Sequence, residues 1–153
     1  MAVTDLTELV RPLRANLKDI DSELTDDELL DLLIDGLNKY NDDVPRPFDE
    51  DDGVLDREAD RNEKRYLVLC GIWTFLTRRM IGSSETAINE SNVAGRTDTT
   101  TIELALAKRR KEILDADMKP ALDRLTRQEI AAESRSCDLT APVELGVTGW
   151  PLF

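Results

Sequence analysis

YLVLCGIWTFL, residues 66–76, is apolar nearly all the way round a helical wheel. A helix without a polar face belongs in the middle of a bundle, because every side of it must be covered. Charge brackets the stretch, with Glu58 to Arg65 before it and Arg78 and Arg79 after it, where cations suit the negative helix end. The pattern predicts a helix over 58–81, stopped at Gly82. Cys70 lies inside it and reads as a small buried hydrophobe.

Working outward to the N-terminal side, residues 26–41 carry the clearest helix signal. Thr25 and Glu28 form a capping box, in which the hydroxyl accepts the third N–H and the carboxylate reaches back. Asp26, Asp27 and Glu28 suit the positive end of the helix dipole. Leu29, Leu30, Leu33, Ile34, Leu37 and Tyr40 make the predicted buried face, and Gly36 marks a place of close packing against a neighbour. Residues 4–17 read as a shorter first helix with Thr4 or Asp5 as cap and Leu6, Leu9, Val10, Leu13 and Leu17 as its stripe. Pro12 within it predicts a kink or a shortened helix. Residues 42–57, with Pro45, Pro47 and Gly53, read as a loop.

On the C-terminal side, residues 82–98 are polar and rich in Ser, Asn and Gly, which predicts a long loop, functional or disordered. A second capping box, Thr100 with Glu103, opens a long helix over 100–134. Its stripe is Ile102, Leu106, Ile113, Leu114, Met118, Leu122, Leu125 and Ile130, and Pro120 predicts a break near Met118. Residues 135–153 lose the pattern and end in Gly149-Trp-Pro-Leu-Phe153, a polar arm with an apolar tip. The expected fold is all-α: a bundle of about four helices over 1–134, with a long last helix and an extended C-terminal arm over 135–153.

The chain has 153 residues and a net charge of −12, enough length for one real core. Residues 1–60 hold 19 acids and 6 bases, whereas residues 61–134 hold 11 acids and 13 bases. This balance disfavours nucleic-acid binding through a basic face. It fits either plain solubility or complementarity to a basic partner or a neighbouring copy. The two cysteines, Cys70 and Cys137, make no CxxC pair and no disulfide framework, so a reducing compartment is expected. No apolar run reaches the roughly 18 residues of a membrane span, and the opening residues lack a basic-then-apolar leader pattern. A cytoplasm-like compartment follows as the expectation.

The sequence has no histidine, which removes the usual general base and the commonest metal ligand. GxSxG, P-loop and GxGxxG motifs are absent too, so no catalytic residues, cofactor or metal ligands are assigned and an enzyme is not expected. The acidic cluster Asp49-Glu-Asp-Asp52 before Gly53 fails as an EF-hand, since Gly53 at position six puts Phe48 and Ala59 where oxygen ligands belong. Lys108, Arg109, Arg110 and Lys111 form a basic run that points around most of a helix. It is either solvent-facing and paired with Glu103, Glu112 and Asp115, or a contact for an acidic surface. Trp150 and Phe153 are apolar anchors that either insert into a partner's groove or fold back on their own domain.

The order of elements resembles a known family. The capped helix LTDDELLDLLIDGLNKY (24–40), a proline-bearing loop, the central apolar helix ending in paired arginines (66–79), a polar loop and a long charged helix with an arm are similar to the head-to-tail adaptor (connector) proteins of tailed bacteriophages. The resemblance spans roughly residues 4–134 and is carried by layout. It implies a homo-oligomeric ring, typically of twelve copies, beneath the portal protein at the neck of the virion, assembled in the host cytoplasm. Such a ring extends the DNA channel without specific DNA binding and presents a platform for the stopper or tail-completion protein. It assigns portal docking to the arm, through Thr140, Val143, Leu145, Trp150, Leu152 and Phe153. Inter-subunit contacts fall to Arg96 in the polar loop, to Lys108, Arg109 and Arg110, and to Asp49, Asp51 and Asp52. The other reading is a small acidic helical regulator that binds a single host or phage protein. A DNA mimic should carry its acids in one stripe, and these are split between helix ends and a loop. Stopper and tail-completion proteins are commonly rich in β-structure, so a helical pattern favours the adaptor.

Overall fold

The computed structural model describes residues 2–90 and 97–138, with side chains described except at 83–90, 97–102 and 136–138. Among them are four α-helices, α1 (Thr7–Leu17), α2 (Asp26–Asp43), α3 (Arg61–Glu90) and α4 (Thr97–Asp138), and one small hairpin, β1 (Glu50–Asp51) with β2 (Val54–Leu55). The fold is an all-α bundle with a long last helix. No helix among the described residues is long and apolar enough to cross a membrane.

α3 is the centre of the bundle, packed chiefly against α2 on one side and α4 on another. Tyr66, Leu67, Cys70 and Leu76 are all at most 2% exposed, as an apolar circumference requires. Its N-terminus has a capping box of its own. Asp60 accepts the N–H groups of Asn62 (2.7 Å) and Glu63 (2.9 Å), and Glu63 accepts the Asp60 N–H (2.9 Å). The helix does not stop at Gly82 but runs to Glu90, through the first half of the expected polar loop. Gly82 keeps an ordinary φ, and without a left-handed residue the usual C-terminal stop cannot form. Ser and Asn here are poor helix formers but not breakers.

α2 begins as expected, with Thr25 and Glu28 exchanging both bonds of the box. Its buried face differs slightly. Leu29, Leu33, Leu37 and Tyr40 are buried, but Leu32 and Gly36 join them while Leu30 and Ile34 are half-buried. Gly36 is where α2 and α3 come closest. A Cβ there would lie 2.8 Å from the Gly71 nitrogen, so only glycine lets the backbones approach this far. α1 starts at Thr7, three residues later than expected. Its N-cap position is Leu6, not Thr4 or Asp5, and Asp5 just before it accepts the Thr7 N–H (2.9 Å) and hydroxyl (2.7 Å), bonds that hold its carboxyl below the usual range. Thr4 does not cap. It is buried, and its hydroxyl accepts the Ala59 N–H (2.8 Å).

Neither proline inside a helix breaks it. Pro12 lies within α1 and Pro120 within α4, both on exposed faces where water can serve the carbonyl that loses its N–H partner. α4 is 42 residues long, about 63 Å at 1.5 Å per residue. It starts at Thr97, so Thr100 falls inside the helix rather than capping it. Its seam is Ala107, Leu114, Met118 and Leu125, spaced seven, four and seven as in a coiled coil. Leu114, Met118 and Leu125 were expected there and Leu122 is half-buried, but Leu106 (49% exposed), Ile113 (58%) and Ile130 (57%) face solvent. Leu106 and Ile113 sit one residue off the seam, about 100° around the helix. The Ile102 side chain lies outside the described residues. α4 also runs four residues past 134, the boundary read from sequence.

Candidate docking interface

The acidic cluster after α2, expected as loop, is a tight hairpin. Asp52 (φ 52°) and Gly53 (φ 80°) both have positive φ, the turn that Asp-Gly favours because it matches strand twist. Glu50 pairs with Leu55 and Asp51 with Val54. The chain just before α1 adds to this hairpin. Leu6 N–H donates to the Gly53 carbonyl (2.8 Å) and Leu55 N–H to the Thr4 carbonyl (2.9 Å). Of the acids, Glu50 is used internally, accepting the Gly53 N–H (2.6 Å). Asp49, Asp51 and Asp52 are exposed, and their carboxylates have no partner among the described residues. Three or more metal-ligating side chains do not converge anywhere among the described residues.

The hairpin is held rigid from below. Asn41 brackets the backbone of Phe48, donating to its carbonyl (2.8 Å) and accepting its N–H (2.9 Å). Phe48 is buried against the Tyr40 ring at 5.2 Å, and the Arg57 guanidinium lies 3.8 Å from its ring centre. Arg57 then grips Glu63 with two bonds, at 2.8 and 3.0 Å. Glu63 is 6% exposed and also accepts from the Tyr40 hydroxyl (3.3 Å). Burial first, and the Glu63 charge second, push the Tyr40 hydroxyl well above its usual range. Glu129 of α4 comes near this cluster, and burial together with the Glu63 charge raises its carboxyl. A second phenol, Tyr66, donates to Asp43 at 2.7 Å, and Asp43 also accepts from Lys39 at 3.0 Å. The sequence reading missed Arg57 and Glu63. The Asp60-to-Glu63 spacing was the signal that could have found half of the pair.

The basic run on α4 divides. Lys111 turns inward and lies 4.7 Å from the Trp73 ring centre, which Lys39 of α2 approaches at 4.5 Å. One indole thus ties α2, α3 and α4 together. Lys108, Arg109 and Arg110 stay exposed. They form no ion pair among the described residues, neither with Glu103, Glu112 and Asp115 nor with any other acid. α2 and α4 hardly touch each other, and the acidic hairpin and the basic run on α4 share no ion pair among the described residues. The remaining candidates, Arg96 and the arm residues Thr140, Val143, Leu145, Trp150, Leu152 and Phe153, lie outside the described residues.

No known family, curated protein or solved structure matches the chain. The surfaces themselves therefore carry the functional argument.

Proposed function

We propose that this protein is a structural, non-enzymatic head-to-tail adaptor of a tailed phage, whose copies form a ring under the portal. One observation supports this reading most. A single helical body carries two unpaired, oppositely charged patches on separate elements: Asp49, Asp51 and Asp52 on the hairpin, and Lys108, Arg109 and Arg110 on α4. A head-to-tail contact sets acid against base and repeats until a ring closes. On this reading the ring holds twelve copies and extends the DNA channel, and the acidic excess keeps DNA sliding rather than bound. The arm over 140–153 docks to the portal, and the free face receives the stopper or tail-completion protein. The assembly belongs to the virion neck and forms in the host cytoplasm.

The test is native mass spectrometry of the chain, alone and mixed with the portal protein encoded beside it. A full ring on the portal, lost on deletion of residues 140–153, supports both the adaptor and its arm. A ring that survives the deletion keeps the adaptor and discards the arm. Charge reversal at Lys108, Arg109 and Arg110 should prevent the ring. No association under any condition would sink the proposal and leave the single-partner regulator as the better reading.

A further inference from the structure

α1, α3 and α4 leave an open cleft of about 630 Å³ between them. Its floor is apolar, built from Leu9, Val68, Leu69 and Ala121. Its rim is basic. Lys64 is paired with Glu8 at 3.3 Å, whereas Arg65 and Arg124 are exposed and have no ion-pair partner among the described residues. Asp117 is the one acid in the lining. Both helix-interior prolines, Pro12 and Pro120, border this cleft from opposite sides. The cleft therefore offers apolar surface and positive charge.

We infer that this cleft binds the chain's own C-terminal segment, residues 139–153, with Trp150, Leu152 and Phe153 as anchors. The chemistry matches on two counts. The segment has no cation, and Glu144 is its single charged side chain, as a basic rim would select. Of the seven aromatic residues in the chain, Tyr40, Phe48, Tyr66, Trp73 and Phe75 sit in the bundle, and the other two are Trp150 and Phe153.

The reach also matches. Gln128 meets both Asp60 and Asn62 at the start of α3, so α4 continues past that point to Asp138. From Arg124 to Asp138 the helix covers about 21 Å at 1.5 Å per residue. The twelve residues 139–150 are enough chain to span up to about 40 Å. A tether of that length holds the anchors near the cleft at an effective concentration in the millimolar range, which a separate partner would have to exceed. This inference does not need the ring. If the arm also docks to a portal, the cleft holds it until then, and docking must displace it.

The test uses the full chain. A nitroxide is attached at Gly149→Cys in a Cys137→Ser background. Cys70 stays unlabelled near neutral pH because burial pushes its thiol up to about 12. Methyl signals of Leu9, Val68 and Leu69 should weaken at least about twofold when label and isotope share one chain, since a tethered segment is mostly bound. Leu32, on the α2 flank, should be unchanged. Adding Trp150→Ser and Phe153→Ser should restore the signals, and signals that stay weak would remove the anchors from the proposal. Weakening seen only between labelled and isotopic chains mixed together would give the cleft to a neighbour's arm and overturn the proposal. Unchanged cleft methyls would also overturn it. Portal binding that persists in that case would leave the adaptor reading standing, so the two can fail separately.

Discussion

The first 76 residues bury Thr4 and Glu63 and bond both back into the fold, whereas α4 buries one narrow stripe and leaves Leu106, Ile113 and Ile130 in water. The N-terminal body is fixed by specific contacts: a hairpin pinned by Asn41, a buried ion pair, and two helices meeting at Gly36. α4 is fixed by a repeating seam, which sets its register but makes no use of most of its surface. Specific contacts are concentrated in the body, and three exposed large apolar side chains lie on the long helix.

The largest effect should come from Glu63→Ala. It strands the Arg57 guanidinium, the Tyr40 hydroxyl and the Asp60 N–H together, so unfolding in urea should show a loss of about 3–5 kcal/mol. A loss under about 1 kcal/mol would mean that water takes over the Arg57 bonds, and the body would be less tightly specified than its contacts imply. The next test lies on α4, between neighbours in sequence. Leu114→Ala should cost about 2–3 kcal/mol, and Ile113→Ala less than about 0.5 kcal/mol. Equal costs would show that α4 has a second buried face and would erase the contrast between the two regions.

A third pair sharpens the body's own geometry. Gly36→Ala forces a Cβ to 2.8 Å from backbone, which cannot move aside cheaply. It should lose about 2 kcal/mol even after the gain in helix propensity. Gly71→Ala meets only the methyls of Leu13 and Leu33, at 3.4 Å. It should stay within about 1 kcal/mol of the parent. Thermal melts of the two variants should separate clearly, and the reverse order would mean that the contact point lies elsewhere on α3.

Much of this body could be read from the chain. The apolar circumference of residues 66–76 placed α3 at the centre, the Thr25–Glu28 box placed the start of α2, and Gly36 marked the close approach. Those signals are local, and nothing competed with them. The long helix was harder. Its start sits in a run of threonines, any of which can open a helix. Its stripe mixed residues one position apart, which burial separates and composition does not. Gly82 and Pro120 are breakers by rule, yet each sits where the helix tolerates it: Gly82 in open space with an ordinary φ, Pro120 on an exposed face. Residues 42–57 read as a loop, although Asp52-Gly53 within them carries the turn signal of a hairpin. Of the candidate contacts, the two charged patches could be seen as composition. That they sit on separate elements, with no ion-pair partners among the described residues, is a tertiary fact.

The smallest effect per step is also the one that tests the body as a whole. Cys70, Tyr40 and Tyr66 are buried there, and burial is the first cause that raises all three above their ordinary values. Each is neutral in the fold, while in the unfolded chain the thiol ionises near 9.0 and the phenols near 10.0. A group whose folded value is raised contributes its full stability below the unfolded value and loses it as pH climbs past that point. For Cys70 the loss starts above 9.0 and continues to about 12, at about 1.4 kcal/mol per pH unit. The phenols join above 10.0. Urea midpoints for the parent should therefore begin to fall near pH 9, and Cys70→Ala should hold steady until the phenols ionise. If the parent instead holds as long as Cys70→Ala does, the thiol ionises in the folded state near its ordinary value, so water reaches it there. The seam where Gly36 presses on Gly71 would then open far more readily than its packing implies, and the body would lose its claim to be the rigid half of the molecule.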